Sequence, residues 1–122
     1  MSIHPRATID PTAIVDPTAI VGAAWVRAGA TVVKGAVVEF DALVGPRAFV
    51  GPRAFVGPRA LVLAGATVVE GATISSQATV RERATIGARA FVGAGAVVGE
   101  GAVVESRTII KPTEVREWIE EV

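Results

Sequence analysis

From Ala30 onward a small residue returns every sixth position: Ala30, Ala36, Ala42, Ala48, Ala54, Ala60, Ala66, Ala72, Ala78, Ala84, Ala90, Ala96 and Ala102. Two residues after each comes Val or Ile, from Val32 to Val104. Upstream, Ala7, Ala13 and Ala19 keep the same spacing with Ile9, Val15 and Val21, and one residue is then lost before Ala24 and Val26. Thr108 takes the small slot of the last unit and Ile110 the aliphatic one. The repeat is most literal between Val44 and Val62, where Val-Gly-Pro-Arg-Ala-Phe/Leu is written three times. A fixed short period of this kind sets the architecture before any other signal is weighed.

Within a unit such as Ala48-Phe49-Val50 the side chains alternate in, out, in, which is the period of a strand. Gly51-Pro52-Arg53 then reads as a turn, with glycine tolerant of unusual backbone angles and proline fixing φ where no ladder donor is required. Short strands and short turns of constant polarity cannot form a hairpin meander. They can wind into a coil whose laps stack as parallel strands. Three units per lap give a triangular prism of about six coils, roughly 29 Å long at about 4.8 Å per strand spacing.

The aliphatic-Gly-x-x-small-x pattern resembles the hexapeptide repeat of left-handed parallel β-helix proteins. The opening from Ile3 to Gly22, with its Asp10-Pro11-Thr12-Ala13 and Asp16-Pro17-Thr18-Ala19 turns, is similar to the start of UDP-N-acetylglucosamine acyltransferases and to the first coils of γ-class carbonic anhydrases. The resemblance covers about nine-tenths of the chain and supplies the handedness, since ordinary crossover reasoning favours the right-handed form. It implies an all-β left-handed parallel β-helix over 1–113. It also implies a histidine general base for acyl transfer, or three histidines around zinc for the anhydrases, and commonly a trimer of prisms packed side by side.

Sorted by lap, the outward residues form three walls. The first holds Thr8, Trp25, Leu43, Leu61, Thr79 and Val97, and the second Ile14, Thr31, Phe49, Thr67, Thr85 and Val103. The third holds Ile20, Val37, Phe55, Thr73, Phe91 and Ile109, and five of its six members are large and apolar. An exposed apolar stripe of that extent is seldom left uncovered. Ile20, Val37, Phe55, Phe91 and Ile109 are therefore the expected self-association surface, with a homotrimer favoured.

After Pro112 the period changes. Thr113 can cap a helix, and Val115, Trp118, Ile119 and Val122 recur at helical spacing. The expectation is a short helix over 114–122 that covers the open end of the prism, as solenoid ends require.

Composition adds exclusions. Of 122 residues, 12 are basic and 12 acidic. No electrostatic footprint for nucleic acid or an anionic membrane follows from that balance. Cysteine is absent, which excludes disulfides and thiolate metal sites. The N-terminal stretch has no signal-peptide run and no segment reads as membrane-spanning, so a soluble cytoplasmic protein is expected.

The chain has one histidine, His4, in the turn slot that Asp10 and Asp16 fill in the next two units. A lone turn histidine reads as a solvated surface residue, because zinc sites want three or four protein ligands. Arg47, Arg53 and Arg59 fall at three different corners, repeated at two of them by Arg83 and Arg89, and so do not converge on one anion. Glu100 and Glu105 flank a strand without a shared pocket, and the threonine pair Thr67 and Thr85 is interrupted by Phe49 and Val103. No catalytic, cofactor-binding or metal residue is assigned, and no cofactor or small-molecule substrate is expected. Alanine in every small slot but one, with Asn, Cys and Tyr all missing, reads as an idealised sequence, computed or consensus-derived. The expected role is a structural β-solenoid scaffold without catalysis, not an enzyme. The alternative is an acyltransferase-like protein of this repeat class reduced to its prism.

Overall fold

The computed structural model describes residues 2–117. Twenty two-residue strands run through them, all paired in parallel, and they sort into three sheets. Sheet A stacks β1 (Ser2–Ile3), β4 (Ile20–Val21), β7 (Val37–Val38), β10 (Phe55–Val56), β13 (Thr73–Ile74), β16 (Phe91–Val92) and β19 (Ile109–Ile110). Sheet B stacks β2 (Thr8–Ile9), β5 (Trp25–Val26), β8 (Leu43–Val44), β11 (Leu61–Val62), β14 (Thr79–Val80), β17 (Val97–Val98) and β20 (Val115–Arg116). Sheet C stacks β3 (Ile14–Val15), β6 (Thr31–Val32), β9 (Phe49–Val50), β12 (Thr67–Val68), β15 (Thr85–Ile86) and β18 (Val103–Val104). Each strand is followed by the next sheet's strand, so three sheets close one lap and the chain makes somewhat more than six.

The period-two alternation places the alanine and the Val or Ile of each unit inside. From Ala19 to Val104 these positions are buried, with Ile74, Ile86 and Ile110 the bulkiest members of the column. In the first described lap, Ile3, Ala7, Ile9, Ala13 and Val15 are only partly covered. Among the described residues no polar side chain is buried. Small and branched residues suit this core because the facing sheets leave room for one methyl on one side and a β-branched group on the other.

Lap is joined to lap by backbone hydrogen bonds. Phe49 N donates to Ala66 O at 2.8 Å, and Gly51 N to Val68 O at 2.7 Å. The ladder continues round the corners through a change of turn geometry. From Gly29 to Thr113 the third residue of each turn has positive φ, as in Arg47 (59°), Arg53 (57°) and Gly65 (70°). Ala48 N closes its turn on Gly45 O at 3.1 Å, the pattern of a type II turn with Pro46 at its second position. The positive φ turns the amide of the third residue toward the previous lap, so that Arg47 N reaches Ala28 O at 2.9 Å and Gly65 N reaches Pro46 O at 3.0 Å. Left-handed arginine is disfavoured locally; the corner hydrogen bond offsets it.

At two corners glycine and arginine alternate by lap as far as Arg89. Gly29 lies under Arg47, where a Cβ would meet the arginine Cγ at 3.2 Å, and Gly35, Gly65 and Gly71 lie likewise under Arg53, Arg83 and Arg89. The missing residue after Ala19 falls at the third corner, beneath Asp41. There Ala24 N bonds Gly22 O at 2.7 Å across three residues, a γ-type closure, and Asp41 N resumes the corner ladder on Ala23 O. One residue is thus removed from the lap without breaking a sheet.

The structure corrects the expected capping helix within its described part. Val115–Arg116 is strand β20, in register with Val97 and Val98 of β17. Val97 N donates to Glu114 O at 2.9 Å and Gly99 N to Arg116 O at 2.7 Å, so the existing ladder templates one more strand. Thr113 does not cap a helix; it is the positive-φ turn residue (62°), and its Oγ1 donates to Pro112 O at 2.6 Å. Val115 faces outward and is 58% exposed. Trp118, Ile119 and Val122 lie outside the described residues.

Candidate functional site

The outer faces are flat, and their chemistry follows from which side chains occupy the middle slot of each unit. On sheet A, Ile20, Val37, Phe55, Phe91 and Ile109 stand in one column, interrupted by Thr73, which pairs with Phe55 on one side and Phe91 on the other. Val37 and Phe55 are half-buried by their ladder neighbours, whereas Ile109 is 69% exposed. The sequence singles out this wall, yet sheet B matches it once β20 is added. Trp25, Leu43, Leu61, Val97 and Val115 all face outward there. Sheets A and B meet at one edge of the prism, and Phe40 stands in the turn on that edge, 46% exposed and 5.9 Å from the guanidinium carbon of Arg59. Sequence reasoning passed over Phe40; the signal was an aromatic in a turn slot otherwise held by Pro, Ala or a polar residue.

The remaining polar groups are spent on turns. His4 Nδ1 accepts the Arg6 amide at 3.0 Å, as Asp10 Oδ1 and Asp16 Oδ1 accept the Thr12 and Thr18 amides at 2.8 Å. Accepting at Nδ1 leaves the proton of the neutral ring on Nε2, so His4 is held as a turn acceptor. Side-chain and backbone donation from Thr12 and Thr18 depresses the carboxyls of Asp10 and Asp16 below their ordinary range. Arg47, Arg53 and Arg59 sit at three separate corners, and Arg53 and Arg83 each pair with the acid of the next lap, Glu70 and Glu100. At the far end Glu114 and Arg116 take the two inward slots of the last unit and pair at 2.8 Å. Donation from the Lys111 amide, then from Arg116, lowers the Glu114 carboxyl. Among the described residues no cavity is enclosed, and no three His, Cys, Asp or Glu side chains gather as a metal site. No helix there is long and apolar enough to cross a membrane.

Scans of protein-family models and of curated proteins give no match. Solved structures do match. The acetyltransferase domain of PglB from Neisseria gonorrhoeae superposes with a TM-score of 0.81 at 27% identity, over 84% of this chain and 50% of that one. A variant of GDP-perosamine N-acetyl transferase from Caulobacter crescentus, in complex with CoA and GDP-perosamine, gives 0.60 at 22% identity, over 99% of this chain and 50% of that one. LpxA, the UDP-N-acetylglucosamine O-acyltransferase of Moraxella catarrhalis, gives 0.56 at 12% identity, over 95% and 67%. The chain therefore spans half the length of the first two. Three parallel sheets, a six-residue repeat and these neighbours define the class. The chain shares with these structures the three-sheeted left-handed parallel β-helix fold of a hexapeptide repeat.

Two expectations are corrected here. A structural scaffold without catalysis is overturned, because the structures sharing this prism are acetyltransferases and an acyltransferase. Regular walls describe how the fold is specified and say nothing against chemistry carried beside them. The expectation of no small-molecule substrate falls with it, since one neighbour is seen with CoA and a nucleotide sugar. An idealised origin gains no support from a repeat shared with bacterial enzymes.

Proposed function

We propose that this chain is the repeat prism of an acyltransferase that takes an acyl group from a coenzyme A thioester and passes it to an amine or hydroxyl of a sugar substrate. The observation that carries the reading is the superposition on the PglB acetyltransferase domain at 27% identity over most of the chain. In such a transfer the acceptor nitrogen or oxygen attacks the thioester carbonyl, the coenzyme A thiolate leaves, and the acceptor's proton goes to a base. The resemblance implies a histidine for that base. His4 could serve only if the Arg6 amide released Nδ1, so the base is better sought outside the described prism.

The prism's part is positional. Its walls are rigid because their backbone groups are consumed by the ladder, and self-association through Ile20, Val37, Phe55, Phe91 and Ile109 would set prisms side by side, with grooves along their edges where an extended thioester can lie. A homotrimer is the assembly proposed.

The test is calorimetric titration with coenzyme A, followed by thiol release from acetyl-coenzyme A with amino-sugar nucleotides as acceptors. Saturable binding and acceptor-dependent release are expected. A folded protein that shows neither sinks the reading. Activity that survives His4→Ala confirms a base elsewhere; activity abolished by it assigns the base to His4.

A further inference from the structure

The first lap is fastened to the second by a device used nowhere else among the described residues. From Asp41 onward, the third turn residue donates its amide to a backbone carbonyl of the preceding lap. Gly29 N and Gly35 N instead donate to side chains, Thr12 Oγ1 and Thr18 Oγ1, each at 3.0 Å. Those hydroxyls donate in turn to Asp10 Oδ1 and Asp16 Oδ1 at 2.6 Å. At the third corner the bond stays within one turn, the Arg6 amide donating to His4 Nδ1. The cause lies in the turns: Arg6, Thr12 and Thr18 are not among the positive-φ residues, so their corners lack the rotated peptide that other laps use.

We propose that the first lap is an acid-sensitive latch, in which protonation of Asp10 and Asp16 releases these two corners from the second lap while the rest of the prism stays closed. A carboxylate anion makes both threonine bonds charge-assisted, and protonation removes that strengthening. Arg27 acts on Asp10 from the second lap and Lys34 on Asp16, each favouring the anion. The lap is suited to open alone because its inward residues are only partly buried.

Both carboxyls lie below their ordinary range in the folded chain. They therefore stabilise the latch above about pH 4 and lose that contribution as pH falls through the folded values.

Hydrogen exchange of the intact protein tests this, with protection factors of Gly29 and Gly35 compared with those of Gly65 and Gly71 between pH 6 and pH 3. The first pair is expected to lose protection several-fold more than the second. In Asp10→Asn/Asp16→Asn, whose amide oxygens still accept but carry no charge and do not titrate, the difference should vanish. Equal loss at all four glycines, or an unchanged difference in the double variant, overturns the proposal. Should that variant fail to fold, the wild-type comparison decides by itself.

Discussion

Arg116 and Glu114 both turn inward from the last lap and close on each other at 2.8 Å, one guanidinium and one carboxylate where every buried lap carries a branched aliphatic and a small residue. The pair ends the core with charge. A sheet edge finished in this way offers little to a second apolar edge.

Replacing Arg116 with Val alone strands the partly buried carboxylate and should lower the Tm. The double change Glu114→Ala/Arg116→Val restores the apolar pattern and should recover it, because ion pairs are often replaceable by packed apolar groups. The same double variant is expected to self-associate more, read as mass by light scattering. The Glu114 carboxyl is held low, so its contribution is present above about pH 4 and is lost on further acidification. The single-variant Tm gap should shrink accordingly between pH 7 and pH 3.

Gly87→Ala should cost about 1–3 kcal/mol in urea unfolding, the range of an overpacked site. A Cβ there would stand 2.5 Å from Ser106 N and 2.8 Å from Val104 O, and backbone of a paired lap cannot retreat. Gly101→Ala is the control. Its φ is +70° but nothing lies within 4 Å, so left-handed strain alone, about 1–2 kcal/mol, is expected.

Arg107→Gly should stabilise the protein by up to about 1 kcal/mol. Relief of left-handed strain at φ 63° outweighs the entropy glycine adds to the unfolded chain. Arg59→Gly should gain less, since it also removes the cation above Phe40.

Phe55→Glu should shift the sedimentation mass toward monomer if sheet A carries self-association, whereas Trp25→Glu should leave it unchanged. The opposite pattern would move the interface to sheet B.

The prism was legible in the sequence because its two inward slots are filled with almost no variation from Ala19 to Ile110. The next strand was not, since Glu114 and Arg116 occupy those slots and erase the pattern. Val115 then reads as the start of a helical spacing, and only the waiting donors of Val97 and Gly99 make a strand of Val115–Arg116. Turn geometry was hidden for a related reason. Arginine is an unfavourable residue for positive φ, and its presence at Arg47, Arg53 and Arg59 makes sense only when the neighbouring lap's carbonyl is in view. The outward apolar columns were half legible: the sheet A column could be counted, but its equal on sheet B required the last strand. Chemistry was least legible, because a repeat reports the demands of stacking and carries no trace of what binds along its edges.

Gly29 under Arg47, Gly35 under Arg53, Gly65 under Arg83 and Gly71 under Arg89 give two corners a rhythm of two laps, which stops where Arg107 follows Arg89. Excising a single lap from that stretch would bring like against like, bulk upon bulk or hollow upon hollow. Removing a matched pair of laps there would keep glycine beneath arginine.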